Sequence, residues 1–130
     1  MANQDWRTSV MKKLLFGGEG LMAATLNGKK EITLRKYRKG AHDFTRDEFF
    51  IGSFEEGLDI LLFAMADTSL TFTFGDLPDS IAREDGFQDS TDMFEQMKGY
   101  YPDLQKTDRV AIIRYRKVLD NGAPVTAPNR

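Results

Sequence analysis

The feature that most constrains the fold is an apolar run of strand length. Another predicted strand precedes this run, and a short turn joins the two. Residues 58–66 are apolar on both faces of a strand, which is typical of a central position in a sheet. Residues 48–54 also have strand character, and the Glu55-Glu56-Gly57 segment between the two runs predicts a hairpin turn. The sequence therefore predicts an antiparallel strand pair close to the centre of a sheet.

The remaining segments predict further short strands and helices. Strands and helices do not alternate regularly along the chain. Four further runs predict strands, at residues 12–16, 31–37, 70–74 and 109–118. Three segments predict helices, at residues 19–27, 76–84 (with Asp76 as N-cap) and 90–99. The expected fold class is α+β, mainly β: a small antiparallel β-barrel of five or six strands with two or three peripheral short helices.

Length and composition predict one small domain without a disulfide or a bound metal. A chain of 130 residues is expected to form a single domain with its core over about 12–118 and flexible tails at 1–11 and 119–130. Cysteine is absent, and no apolar run approaches the roughly 18 residues of a membrane span. No signal-peptide pattern, glycine-rich phosphate loop or paired-histidine metal spacing occurs, so we expect a cytoplasmic protein without cofactor or metal.

Residues 28–44 form a basic segment within a mildly acidic chain. Its cationic residues are Lys29, Lys30, Arg35, Lys36, Arg38 and Lys39. They are opposed there by Glu31 and Asp43, whereas the whole chain has a net charge of −2. Such a segment is either a solvated strand face or a local site for an anion. Strand alternation places Thr33 and Arg35 on one face and Ile32 and Leu34 on the other.

Two other candidates have a structural and a functional interpretation. His42, the single histidine, lies in a Gly-Ala-His-Asp turn, where we expect an exposed side chain rather than a ligand or catalyst. Phe49 or Phe50 is a candidate stacking platform for a base, whereas Phe63, Phe72 and Phe94 are expected in the core.

Several short motifs, taken in order, resemble the ASCH-domain family of PUA-like barrels. The resemblance spans about Leu21 to Val118. Its pieces are Asn27-Gly28-Lys29-Lys30, Ile32-Thr33-Leu34-Arg35, Phe44 before a strand pair, Thr73-Phe74-Gly75-Asp76-Leu77, Ala82-Arg83-Glu84-Asp85-Gly86-Phe87, Tyr101-Pro102 and the strand Val110 to Tyr115.

The resemblance implies a small barrel whose mouth accepts RNA or a modified nucleoside. Some members hydrolyse the acetyl amide of N(4)-acetylcytidine, and others bind or cleave RNA. Carried over by motif, the catalytic residues are Lys30, Thr33 and Asp85. The expected substrate- or RNA-binding residues are Arg35, Lys29, Glu84 and Arg114. The chain departs from the pattern at Asp85, where a Glu is usual, at Glu31, where a small hydroxyl residue is common, and at Arg46-Asp47 in place of Gly-Asp.

These residue types suit amide hydrolysis. A threonine hydroxyl becomes a nucleophile when a base takes its proton, and a lysine made neutral by burial and nearby cations is such a base. Arg35 would supply the nearby charge, clamp a phosphate or stabilise the oxyanion, and Asp85 would orient the cytosine ring or act as general acid or base. Lys30 and Thr33 have opposite parity, so they meet only if Lys30 precedes the strand proper.

Two alternatives to the amidohydrolase stay open. The first is a non-catalytic RNA-binding module in which the basic strand and the final-strand residues Arg114, Arg116 and Lys117 hold phosphates while the mouth of the barrel reads a base. The second is a ribonuclease of the same fold.

Overall fold

Eight short strands and helices are present in the part of the chain that the computed structural model describes, residues 11–17, 21–55, 57 and 59–118. The strands are β1 (Lys13–Phe16), β2 (Ile32–Lys36), β3 (Phe49–Phe54), β4 (Asp59–Ala64) and β5 (Val110–Lys117). The helices are α1 (Leu21–Leu26), α2 (Asp79–Glu84) and α3 (Ser90–Met97). Hydrogen bonds join the strands in the order β1-β3-β4-β5-β2. The predicted α+β, β-rich class is confirmed.

The chain divides into two compact units built from interleaved segments. The first unit comprises residues 1–31, 44–66 and 115–130, and the second comprises residues 32–43 and 67–114. The predicted tails lie almost wholly outside the described residues, and the single-domain organisation stays a prediction. No helix among the described residues is long and apolar enough to cross a membrane.

The first unit contains β1, β3, β4 and the second half of β5. β4 pairs antiparallel with β3 on one side and with β5 on the other, and its residues Leu62, Phe63 and Ala64 are buried. The predicted central position of this strand is confirmed. The hairpin is confirmed as well: Gly57 has φ 92, which a turn residue with a side chain rarely adopts.

β1 corrects the prediction of a wholly antiparallel sheet, because it pairs with β3 in parallel. Residues 17–48 separate the two strands, and a connection of that length permits the crossover that parallel pairing needs. The faces of these strands bury aromatic rings. Phe16 stacks on Phe54 at 4.6 Å between ring centroids and meets the edge of Tyr115 at 5.5 Å.

The second unit pairs β2 antiparallel with the first half of β5 and covers them with α2 and α3. Leu34 lies opposite Ile112, and Thr33 lies opposite Ile113. The apolar side chains of these elements form one cluster, which includes Ile32, Leu34, Phe74, Leu77, Ala82, Met93, Phe94, Met97, Leu104, Val110 and Ile112. Met93 and Met97 are buried in this cluster, at 0% and 5% exposure.

The prediction of a strand over 70–74 is wrong, since residues 69–73 make only isolated bridges, from Ser69 to Ile112 in β5 and from Thr73 to Arg109 just before β5. Four residue steps lead from Ser69 to Thr73 and only three from Arg109 to Ile112. The extra residue interrupts the ladder in the manner of a β-bulge.

The prediction that Asp76 caps α2 is also wrong. Pro78 occupies the N-cap position with φ −62 and ψ 145, and a residue before proline avoids helical backbone angles. The helix therefore begins at Asp79. The Asp76 carboxylate instead accepts a hydrogen bond from the Thr73 hydroxyl at 3.3 Å.

Candidate functional site

One face of β2 brings a hydroxyl and a guanidinium together. Arg35 Nε donates a hydrogen bond to Thr33 Oγ1 at 2.9 Å, which confirms that the two side chains share a face. Thr33 is buried, with 6% of its surface exposed, and Arg35 is half-buried. Because the threonine oxygen is the acceptor, its hydroxyl hydrogen can be donated elsewhere. A cation at this distance also favours the ionised hydroxyl over the neutral one.

Asp85 anchors the end of α2 to β2 beside this pair. It occupies the C-cap position of the helix, and its Oδ2 accepts a hydrogen bond from the Leu34 backbone N–H at 3.2 Å. Leu34 lies between Thr33 and Arg35 in the chain. Two of the three predicted catalytic residues, Thr33 and Asp85, thus converge on one stretch of β2.

Lys29 and Lys30 lie in the turn that leaves α1. Their backbone N–H groups both donate to the Ala24 carbonyl, at 2.9 and 3.0 Å, and Gly28 adopts a positive φ of 80° in this turn. Lys29 is exposed and Lys30 half-buried. Lys30 therefore precedes the strand proper, as the predicted role of base requires. It belongs to the first unit and Thr33 to the second, so their meeting stays a prediction.

The arginines of β5 are ion-paired with carboxylates. Arg114, which lies opposite Ile32 in the register, pairs with Glu84 in the second unit. In the first unit, Arg116 Nε donates to Glu31 Oε2 at 2.8 Å. Two of the predicted binding residues, Glu84 and Arg114, therefore contact each other. An arginine in such a pair must exchange its carboxylate partner before it can hold a phosphate.

His42 is buried, and the prediction of an exposed turn histidine is wrong. Only 6% of its surface is exposed, because the Ala41 and His42 N–H groups donate to the Arg38 carbonyl and fold the turn inward. The Arg38 N–H donates to its Nδ1 at 3.0 Å. Burial lowers the pKa of His42 to about 4, helped by the charges of Arg35 and Arg38 and opposed by Asp43. The imidazole is therefore neutral at pH 7.

The stacking-platform prediction is corrected for one of its two phenylalanines. Phe50 is completely buried, and its ring lies 4.6 Å from that of Phe44, so it has no face for a base. Phe49 is 37% exposed, and its role as a stacking platform for a base stays a prediction.

Among the described residues, no group of three or more His, Cys, Asp or Glu side chains is placed to hold a metal ion. The Thr33 hydroxyl and the Arg35 guanidinium on β2, with the Asp85 carboxylate bound to the backbone between them, are groups that can move a proton and stabilise a developing negative charge.

Comparisons with known proteins give one similar structure and no match in sequence. No family model matches the chain, and no curated protein matches it. The crystal structure of protein EF3133 from Enterococcus faecalis V583, of family DUF984, superposes with a TM-score of 0.57 at 12% sequence identity, over 83% of this chain and 80% of that chain. At this identity the likeness concerns the fold alone. It supports a small β-rich fold, and membership of the ASCH-domain family stays a prediction.

Proposed function

We propose that the protein is an amidohydrolase that removes the acetyl group from N(4)-acetylcytidine-type nucleosides, in a PUA-like barrel of the ASCH type. The observation that carries the proposal is the 2.9 Å hydrogen bond from Arg35 Nε to the buried hydroxyl of Thr33. The resemblance of the sequence to the ASCH-domain family supplies the substrate class.

The reaction would form and then hydrolyse an acetyl ester. Thr33 Oγ1 attacks the acetyl carbonyl while Lys30, to which the resemblance assigns the role of base, takes the hydroxyl proton. Arg35 stabilises the resulting oxyanion. The C–N bond breaks as the cytosine amino group takes a proton, with Asp85 as general acid. Water then cleaves the ester, releasing acetate and restoring the hydroxyl.

Arg35 fits this scheme because it donates a hydrogen bond to the threonine oxygen. A guanidinium remains charged at every physiological pH, so the hydroxyl experiences a permanent positive charge. Attack turns the neutral carbonyl oxygen into an anion, and a fixed cation then stabilises the transition state more than the ground state.

A second candidate, an RNA-binding module, is favoured by the exposure of Lys29, Arg38 and Lys39 in the basic segment. Each is available to a phosphate at the surface. The ion pairs of Arg114 with Glu84 and of Arg116 with Glu31 weaken this candidate, because the final strand was expected to supply phosphate contacts.

The test is release of acetate from N(4)-acetylcytidine by the purified protein and by three variants. Thr33→Val removes the nucleophile while keeping the shape, Thr33→Ser keeps a hydroxyl, and Thr107→Val changes an exposed turn threonine as a matched control. We expect activity in wild type and Thr107→Val, reduced activity in Thr33→Ser and none in Thr33→Val, with all four folded by circular dichroism. Activity that survives in Thr33→Val would exclude the covalent route. No release by wild type would reject the amidohydrolase.

A further inference from the structure

The C-terminal end of α2 carries two consecutive acidic residues that are bound to different strands. Asp85 accepts a hydrogen bond from the Leu34 N–H of β2 at 3.2 Å, and Glu84 accepts one from the Arg114 guanidinium of β5. Arg114 lies opposite Ile32 in the register, and Leu34 follows two residues later on β2. The two contacts therefore hold the helix end at positions about 7 Å apart along one strand pair.

Arg114 lies on the face of this strand pair that α2 covers. Residues directly opposite each other in an antiparallel ladder have their side chains on the same side, so Arg114 shares a face with Ile32. Ile32 and Leu34 belong to the apolar cluster that also contains Ala82 of α2. The guanidinium of Arg114 is thus directed to the helix, where Glu84 pairs with it.

A glycine turn fixes the backbone at the end of α2. Gly86 has φ 98 and its N–H donates to the Arg83 carbonyl at 2.9 Å, while the Phe87 N–H donates to the Ala82 carbonyl at 3.0 Å. These are the two hydrogen bonds of a Schellman motif. Asp85 is the residue before the glycine, at the C-cap. The motif therefore fixes the Asp85 backbone within its own helix end, and the contacts to β2 and β5 place that helix end on the strands.

We propose that the ion pair of Glu84 with Arg114 is a positioning pair for Asp85, which holds the Asp85 carboxylate at the Leu34 N–H of β2. Consecutive Cα atoms are only about 3.8 Å apart, so a displacement of Glu84 also moves Asp85. Arg114 then acts through a carboxylate of the protein and does not contact the substrate. The catalytic meaning of the pair rests on the proposed function, in which Asp85 is the general acid, but the positioning is measurable without a substrate.

Two backbone amides of the same strand report separately on this positioning. The Leu34 N–H reports on Asp85, because that carboxylate accepts it. The Tyr37 N–H, which donates to the Arg109 carbonyl at 3.0 Å, reports on the pairing of the strand with its neighbour. Local openings expose each amide to hydrogen exchange by its own free energy, so the two rates, measured by nuclear magnetic resonance, distinguish a loosened carboxylate from a loosened strand pair.

Variants of the ion pair should accelerate exchange at Leu34 alone. The side chains of the pair are 39% and 45% exposed, so in Glu84→Ala and Arg114→Met we expect exchange about two- to fivefold faster at Leu34, as for other surface ion pairs, and an unchanged rate at Tyr37. Arg114→Lys keeps the charge and should retain most of the protection. The control Lys13→Gln breaks an exposed ion pair of the first unit and should change neither rate. An unchanged Leu34 rate in Arg114→Met, or equal acceleration of both amides, would overturn the proposal.

A double-mutant cycle on acetate release separates positioning from contact with the substrate. If the pair acts as a unit, Glu84→Ala, Arg114→Met and the double variant should each lower kcat by about the same two- to fivefold factor, with KM little changed. Losses that multiply in the double variant, or a raised KM with unchanged kcat in Arg114→Met, would show that Arg114 binds the substrate itself and would overturn the proposal. Lys13→Gln should keep the wild-type kcat and KM. If wild type releases no acetate, the proposed function fails while amide exchange still decides the positioning.

Discussion

Replacing Asp85 by alanine is expected to lower the free energy of unfolding by about 1–2 kcal/mol. The mutation removes the acceptor of the Leu34 N–H, which lies at 3.2 Å in a residue only 3% exposed. Leaving a buried donor unsatisfied costs roughly 1–3 kcal/mol. Part of this loss is offset, because a carboxylate at the C-terminal end of α2 meets the negative pole of the helix, an unfavourable contact of about 0.3–1 kcal/mol in longer helices.

Urea unfolding of two Asp85 variants and one control tests the magnitude. Asp85→Asn retains an oxygen that can accept from Leu34 and removes the charge, so we expect it to lose less than half of what Asp85→Ala loses. Asp103→Ala, which removes an exposed loop carboxylate, is the control and should change the free energy of unfolding by no more than about 0.5 kcal/mol. If Asp85→Ala were as stable as Asp103→Ala, or if Asn and Ala were equivalent at position 85, the anchoring role would be refuted.

The same variants decide what Asp85 does in catalysis. Loss of activity in Asp85→Ala alone has two explanations, because the mutation removes an acid and also releases β2 next to Thr33. Asp85→Asn keeps an acceptor for β2 but has no proton to transfer in the pH range of the assay. Activity lost in Asp85→Asn at nearly native stability would therefore assign the acid–base role to the carboxylate.

Three further outcomes follow from local geometry. Gly52→Ala would place a Cβ 2.7 Å from Leu62 Cδ1, so we expect a loss of about 1–3 kcal/mol in urea unfolding. Asp47 has φ 71, so Asp47→Ala should cost about 1 kcal/mol in the same assay, while Asp47→Gly should not destabilise. Because the pKa of His42 is lowered to about 4 in the folded protein, the unfolded chain binds its proton first, and the free energy of unfolding should fall as pH drops from 6.5 to 4. This part of the pH dependence, at most about 3 kcal/mol, should be absent in His42→Asn.

The sequence correctly predicted the structural features that depend on a single strand or a single turn. The alternation from Ile32 to Arg35 was enough to put Thr33 and Arg35 on one face, because side-chain direction in a strand depends only on parity. The apolar run at 58–66 predicted the central strand for a similar reason: a strand buried on both faces needs no polar residues.

Long-range contacts and special local geometry account for the errors. His42 is buried by a turn that folds back on Arg38 and meets Thr68, and nothing in Gly-Ala-His-Asp specifies that contact. The parallel pairing of β1 depends on a crossover through residues far along the chain. One local signal was available, since Pro78 disfavours helical angles at Leu77 and so argues against a cap at Asp76.

The charge pattern of the strands bears on the choice between the two proposed functions, an amidohydrolase with a small neutral substrate and an RNA-binding module. Lys36 lies 3.8 Å from the Asp108 carboxylate, and Arg114 and Arg116 have carboxylate partners of their own. A phosphate that displaces one of these carboxylates exchanges one anion for another. The net gain in binding free energy per contact is therefore small, since an ion pair at the surface contributes only about 0–1 kcal/mol. The Arg35 Nε–H is donated to the neutral oxygen of Thr33. In the proposed amidohydrolase, the Arg35 guanidinium would act on the hydroxyl beside it, and a neutral acetylated base would gain an anionic oxygen only during the reaction.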